Sequence, residues 1–254
     1  EPVAASLTEA ASNYYESFNI EIIGCTGNGG LSFEIASSNF VDMADNVATA
    51  SVNSVSAASM IIDNTIPGAP TINPLNTLNY APAGHPVKFT WNGGLGGSGD
   101  FKIKYGAEDY GPVISQNHIV ESSLEPGSHT IYVSASDAAG NWSDPASYNF
   151  TARVPLLLSV TTSGSSETFT IPYQADIATD HQYVVDWGDE TPAGFANQTD
   201  LSHTYTNAGT YNLVVIGTIS HLTFAGNASS AAKITRVDQL GQLELTNLEG
   251  AFSG

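Results

Sequence analysis

Tyr183-Val184-Val185-Asp186-Trp187-Gly188-Asp189-Glu190, followed after a loop by Leu201-Ser202-His203-Thr204-Tyr205 and Ala208-Gly209-Thr210-Tyr211-Asn212-Leu213-Val214-Val215, decides the fold. Each block is a short run of β-branched and aromatic residues bounded by turn formers, the pattern of strands rather than helices. Trp187 is large enough to fill a core between two sheets, and Gly188 and Asp189 suit a turn. Tyr205 and Tyr211 can pack while their hydroxyls reach polar partners. All of these roles are structural.

Upstream in the same region, Leu156-Leu157-Leu158-Ser159-Val160 and Glu167-Thr168-Phe169-Thr170-Ile171-Pro172-Tyr173 are a further pair of strand patterns. Before them, Pro86-Val87-Lys88-Phe89-Thr90-Trp91, Phe101-Lys102-Ile103-Lys104-Tyr105, the run from Ser128 to Ala135, and Tyr148-Asn149-Phe150-Thr151 alternate in most cases. That alternation predicts half-buried strands with one wet face. The glycine-rich run 93–99 lacks the Gly-Lys-Ser/Thr ending of a phosphate loop and no helix pattern follows it, so it reads as a flexible turn. Asp63-Asn64-Thr65-Ile66-Pro67-Gly68-Ala69-Pro70 combines Asx chemistry with two prolines, which ends a strand and stiffens the exit from a module.

Further back lie Phe18-Asn19-Ile20-Glu21-Ile22, Leu31-Ser32-Phe33-Glu34-Ile35 and Ser59-Met60-Ile61-Ile62. Three or four strands are too few for a complete sandwich, so part of this module is expected upstream or from residues 1 to 13. Residues 7 to 16 also fit a short amphipathic helix. At 254 residues and 41% apolar composition, two to three small domains suit the chain. The expectation is an all-β chain of tandem β-sandwich modules: a partial one at 1–66, a second at 67–153 and a third at 154–254.

Several blocks resemble modules of bacterial exoproteins. Gly24-Cys25-Thr26-Gly27-Asn28-Gly29, Asp42-Met43-Ala44-Asp45-Asn46 and Ile62-Asp63-Asn64-Thr65-Ile66-Pro67 resemble the second half of a bacterial immunoglobulin-like repeat, with Asp45 where Gly is common. The run from Leu124 to Val133, followed by Asp137-Ala138-Ala139-Gly140-Asn141-Trp142-Ser143, resembles immunoglobulin-like or fibronectin type III-like modules over residues 68 to 152. That implies a sandwich with a spacer or binding role, not a reaction.

The opening blocks are similar to the polycystic-kidney-disease (PKD) type sandwich, whose pattern is Asp-Trp-Gly-Asp-Gly, His-x-Tyr and Gly-x-Tyr. Glu190 replaces its last Gly, which bears on the turn because non-Gly residues disfavour positive φ. The segments 219–224, 234–241 and 248–254 extend the resemblance to BspA-like surface proteins, where such a domain leads into leucine-rich repeats. A single partial repeat cannot bury its own core. Leu240, Leu243, Leu245, Leu248 and Phe252 are therefore expected to pack on residues 154 to 217 or on chain outside this sequence. Both ends of the sequence read as cut.

Twenty-five acidic against six basic residues give a net charge of −19, which repels phosphate backbones and anionic lipid and excludes nucleic acid as a partner. No apolar run is long enough to span a membrane within this stretch. Cys25 is the only cysteine, so no internal disulfide can form. In repeats of the resembling type the cysteine has a partner on an earlier strand, and Cys25 has no oriented base beside it, so it reads as structural rather than nucleophilic.

His85, His118, His129, His181, His203 and His221 include no pair at helical i, i+4 spacing and no His-Glu-x-x-His, which leaves zinc without support. His203 reads as a hydrogen-bonded structural histidine. Asp186 and Asp189 sit on one strand end rather than across a cleft, and there is no Gly-x-Ser-x-Gly elbow. No catalytic, cofactor-binding or metal residue is assigned, and the chain is expected to be no enzyme.

Calcium is the one cofactor left open, because Asp42, Asp45, Asp63, Asp137, Asn141 and Asp144 fall near expected module ends. EF-hand spacing is absent, and Asx turns account for the same residues. The acceptor-like triplets Asn141-Trp142-Ser143, Asn197-Gln198-Thr199 and Asn227-Ala228-Ser229 are chance matches in an Asn- and Ser-rich chain.

The expected function is a non-catalytic stalk or adhesion segment of an extracellular or bacterial cell-surface protein, partnered by a surface protein or glycan. The alternative is an accessory spacer or carbohydrate-binding segment of a secreted hydrolase. Fold does not choose between them. Tyr105, Tyr110 and Trp142 are the candidates for an exposed aromatic platform that would bind glycan directly.

Overall fold

Period-two runs become strands in the computed structural model, which describes residues 6–7, 20–21, 27–31, 34–35, 52–53, 60–171, 182–190, 202–246, 249 and 251. The first region contributes β1 (Ser6–Leu7), β2 (Ile20–Glu21), β3 (Gly29–Leu31), β4 (Glu34–Ile35), β5 (Val52–Asn53) and β6 (Met60–Ile62). These pair antiparallel as β1 with β2, β3 with β6, and β4 with β5. The strand patterns around 18–22, 31–35 and 59–62 coincide with β2, with β3 and β4, and with β6. Cys25, Asp42, Asp45 and residues 8–16 lie outside the described residues.

Seven strands follow: β7 (Thr71–Ile72), β8 (Tyr80–Pro82), β9 (Val87–Asn92), β10 (Phe101–Tyr105), β11 (His118–Glu121), β12 (Gly127–Ala135) and β13 (Ala146–Arg153). They form one sheet in the order β10-β12-β13-β8 and a second in the order β11-β9-β7. Along β9, Val87, Phe89 and Trp91 point inward while Lys88 and Asn92 face solvent. Phe89 lies 4.9 Å from Phe150, and Trp91 meets Phe101 edge-on at 5.6 Å, so the two sheets are joined by rings. Each fully buried side chain of this size contributes about 1.5–3 kcal/mol. This two-sheet arrangement is an immunoglobulin- and fibronectin-like β-sandwich.

β8 pairs parallel to β13 at the sheet margin, where Pro82, which has no N–H to donate, is tolerated. The glycine-rich run between β9 and β10 is held rather than free. Ser98 N–H donates to Ser136 O at 2.7 Å, Gly97 N–H to Gly94 O at 3.2 Å, and Gly68 N–H to Leu95 O at 2.9 Å. The backbone carbonyls on either side thus replace the flexible turn expected from composition.

The third unit contains β14 (Leu156–Thr162), β15 (Glu167–Thr170), β16 (Gln182–Asp186), β17 (Ser202–Tyr205), β18 (Gly209–Thr218), the one-turn helix α1 (Ala228–Ala231) and β19 (Ile234–Gln239). One sheet runs β16-β18-β14-β19 and the other pairs β15 with β17. Its core gathers Leu156, Leu158, Val160, Phe169, Tyr183, Val185, Trp187, Tyr205, Leu213 and Val215. The chain is all-β, built of β-sandwich modules in tandem.

Residues 234–239 enter this sheet: β19 lies antiparallel to β14, with register shifts at Leu157/Leu158 and Ser159/Val160. Leu243 is 1% exposed and belongs to the core, and Leu245 packs against it. Leu240 does not pack, being 40% exposed. Leu248 and Phe252 lie outside the described residues.

Only Val154 and Pro155 separate β13 from β14. The loop after β19 straps this joint. Gln242 N–H donates to Val154 O at 2.8 Å, and Gln239 Nε2 donates to Pro155 O at 2.8 Å. Arg153 donates to Glu244 Oε1 at 2.6 Å and to Gln242 O at 3.2 Å, with its guanidinium 5.2 Å over the Tyr80 ring.

Candidate functional site

The most specific sequence blocks converge in the third module. The Trp187 ring stacks on His203 at 5.2 Å, His203 meets Tyr205 edge-on at 4.7 Å, and Tyr205 stacks on Tyr211 at 4.0 Å. His203 Nε2–H donates to Asp189 Oδ2 at 2.6 Å, and the Tyr205 hydroxyl donates to the Trp187 carbonyl at 3.1 Å. Burial pushes the Tyr205 phenol up, and nearby Asp189, Tyr211 and Asp186 add to it. Asp186 Oδ1 accepts the Gly188 N–H at 2.9 Å, an Asx turn that starts the reversal. Gly188 has φ +78°, and Glu190 adopts φ +61°. Asp186 thus closes the turn, and Asp189 ties it to His203 on β17.

Of the residues weighed for calcium, Asp63, Asp137 and Asn141 are hydrogen-bonded within turns, and Asp144 offers only its backbone carbonyl, to the Ser143 hydroxyl, among the described residues. Asp137 Oδ1 accepts from the backbone N–H groups of Ala139 and Asn141 at 2.9 Å, and Oδ2 accepts from Asn141 Nδ2 at 2.9 Å. The Asn141 amide and these backbone groups hold the Asp137 carboxyl below its usual range, against a burial effect of opposite sign. Asn141 Nδ2 also reaches Asp63 O at 2.8 Å, and Asp63 Oδ1 accepts the Thr65 N–H. The structure brings Asp63, Asp137 and Asn141 together as a hydrogen-bonded turn. Among the described residues no three His, Cys, Asp or Glu side chains converge as a metal site would require.

The aromatic candidates separate. Tyr105 shares the parity of Phe101 and Ile103 on β10 and turns toward the core, edge-on to Phe89 at 6.5 Å. Burial pushes its phenol up, with Glu121 and Glu108 adding to the shift. Tyr110 and Trp142, in contrast, meet on the outer face. Between them stands Lys102, its Nζ 4.6 Å from the Tyr110 ring and 4.4 Å from Trp142. Lys104 Nζ lies 5.2 Å from both Tyr110 and Tyr132. The result is a row of alternating ring and cation: Trp142, Lys102, Tyr110, Lys104, Tyr132.

The row follows from local geometry. Lys102 and Lys104 are two apart on β10 and so share its outer face. Tyr132 is the cross-strand partner of Lys104, and the Trp142 backbone bridges to Ser136. Tyr110 comes from the loop after β10, with its hydroxyl 3.2 Å from Ser134 Oγ. Sequence reasoning missed both lysines and Tyr132, although the alternation in Phe101-Lys102-Ile103-Lys104-Tyr105 carried the signal for the lysines.

No family model matches the sequence, and no curated protein matches it. Among solved structures, the FN1–FN3 domains of chicken CNTN1 are similar at 14% identity, over 69% of this chain and 68% of that one, with a TM-score of 0.25. A superposition that loose carries no argument. Among the described residues no helix is long and apolar enough to cross a membrane.

Proposed function

We propose that this chain is a non-catalytic stalk or adhesion segment of a secreted or cell-surface protein, of the bacterial multidomain kind that its PKD-like and BspA-like blocks resemble. The joint between β13 and β14 carries this reading. A spacer must hold one module at a set angle to the next, and a linker of two residues leaves little freedom to bend. Arg153, Gln239 and Gln242 then tie both sides of the joint together. The Asp63 and Asp137 side chains close turns, which suits a structural part.

Backbone ¹⁵N relaxation on the whole chain tests the reading. Residues 71–153 and 156–246 are expected to tumble with one correlation time, and Arg153→Ala combined with Gln242→Ala to split it. Independent tumbling of the two modules in the unaltered protein would sink the proposal.

A further inference from the structure

We propose that the outer face of β10 and β12 binds an acidic sugar, a ring bearing one carboxylate, seated on the row from Trp142 to Tyr132. Lys102 and Lys104 are two of only six basic residues in a chain of net charge −19. Of the six, Arg153 pairs with Glu244, Lys233 with Glu167 and Arg236 with Asp238, while exposed Lys88, on the other sheet, stands alone among the described residues. Neither Lys102 nor Lys104 has an ion pair or hydrogen-bond acceptor among the described residues. Each ammonium carries three N–H donors. The rings hold the ammoniums in place by cation–π attraction without accepting those donors conventionally. A positioned cation with unfilled donors suits a carboxylate, the second lysine adds to the local positive field, and little ordering is left to do on binding.

The rings supply the second half of the recognition. Trp142, Tyr110 and Tyr132 are each half-buried, and the aromatic surface such side chains leave exposed packs on the C–H face of a sugar. Polar side chains continue the same face: Thr130 Oγ1 donates to Asn149, and Ser147 is the cross-strand partner of Tyr132. An acidic peptide fits less well. A peptide strand would need an open sheet edge. The outer edge of β10 is already bonded, through the paired Phe101 and Ile114 backbones and the Gly111 N–H to Ile103 O bond. A densely charged polyanion is disfavoured by the overall negative field. The inference is independent of the stalk reading, which rests on a different part of the molecule.

The test is an NMR titration of the full chain with trigalacturonate, with its fully methyl-esterified form as the uncharged counterpart and oligoglutamate as the acidic peptide. The expected result is a Kd near the millimolar range, with shifts confined to β10, β12 and residues 106–114 and 141–142. Lys102→Gln with Lys104→Gln is expected to weaken binding at least tenfold with melting temperature and remaining spectrum unchanged, and Trp142→Ala to weaken it as much with the folded spectrum away from residue 142 retained. Lys88→Gln, exposed on the other sheet, is expected to leave binding intact. The proposal is overturned by equal binding of the methyl ester, by preference for oligoglutamate, or by absence of shifts at about 10 mM trigalacturonate. None of these outcomes alters the relaxation result at the β13–β14 joint.

Discussion

Alanine at Gly188 is predicted to be far more damaging than alanine at Gly226, though both glycines have left-handed backbone and lie in the same module. Their φ values are +78° and +87°. A side chain in this region costs roughly 1–2 kcal/mol, partly offset by the roughly 0.4–1 kcal/mol that alanine gains by restricting the unfolded chain. At Gly226 nothing lies within 4 Å of the added Cβ, so the net loss should stay near 1 kcal/mol. At Gly188 the Cβ would fall 2.5 Å from Asn212 O and 2.9 Å from Asn212 N. Asn212 sits in β18, bonded to β14 opposite Ser159, so the obstacle is backbone within a sheet and cannot swing aside.

Overpacking of this kind adds about 1–3 kcal/mol, so Gly188→Ala should lose about 2–4 kcal/mol in all. For a module of this size each kcal/mol shifts the melting temperature by about 4–8 °C. Calorimetry of the full chain, following the transition of the third module, reads both variants. Glu190→Gly completes the comparison: Glu190 holds φ +61° without the freedom of glycine, and its replacement should stabilise by about 0.5–1 kcal/mol. Equal losses for Gly188→Ala and Gly226→Ala would refute the argument from close approach.

Two further outcomes follow from packing and charge. Leu243→Ala should cost the third module about 2–5 kcal/mol, while Leu240→Ala should change it by no more than about 0.5 kcal/mol. Comparable effects in urea unfolding would show that Leu243 is not part of the sandwich core. The Glu167 carboxyl is held below its usual range by the Ser163 hydroxyl and the Gly164 and Ser163 N–H groups. A depressed carboxyl contributes stability that is full above its unfolded value, about pH 4.3, and is lost as pH falls through the lower folded value. The protection of the Ser163 and Gly164 amides, taken relative to the intrinsic exchange rate at each pH, should therefore fall on acidification through that window, and Glu167→Gln should flatten the fall.

Legibility in the sequence tracked the reach of the interactions. Alternation made β9, β10 and β12 readable, because each buries one face and the period of two is local. β8 was invisible: Tyr80-Ala81-Pro82 has no pattern of its own and exists because β13 offers a parallel partner far along the chain. The pairing of β19 was not legible, because its residues alone do not show which strand they join, and it is the margin of β14 that takes it into this sheet. In the candidate site, the parity of Tyr105 with Phe101 and Ile103 points inward and separates it from Tyr110 and Trp142. The position of Tyr110 over Ser134 was not recoverable, since a loop of irregular backbone sets it.

The parallel partnership of β8 and β13 has a mechanical consequence. Tension along the chain pulls β8 from the preceding side and β13 toward the following module through Val154 and Pro155. Because the two strands run in the same direction, with Tyr80, Ala81 and Pro82 beside Thr151, Ala152 and Arg153, that pull slides one past the other. The bonds flanking the pairing, from Thr151 N–H to Asn79 O and from Ala83 N–H to Arg153 O, are loaded together instead of opening one after another. The strand that the sequence concealed is thus the clasp that resists shear when the module is stretched.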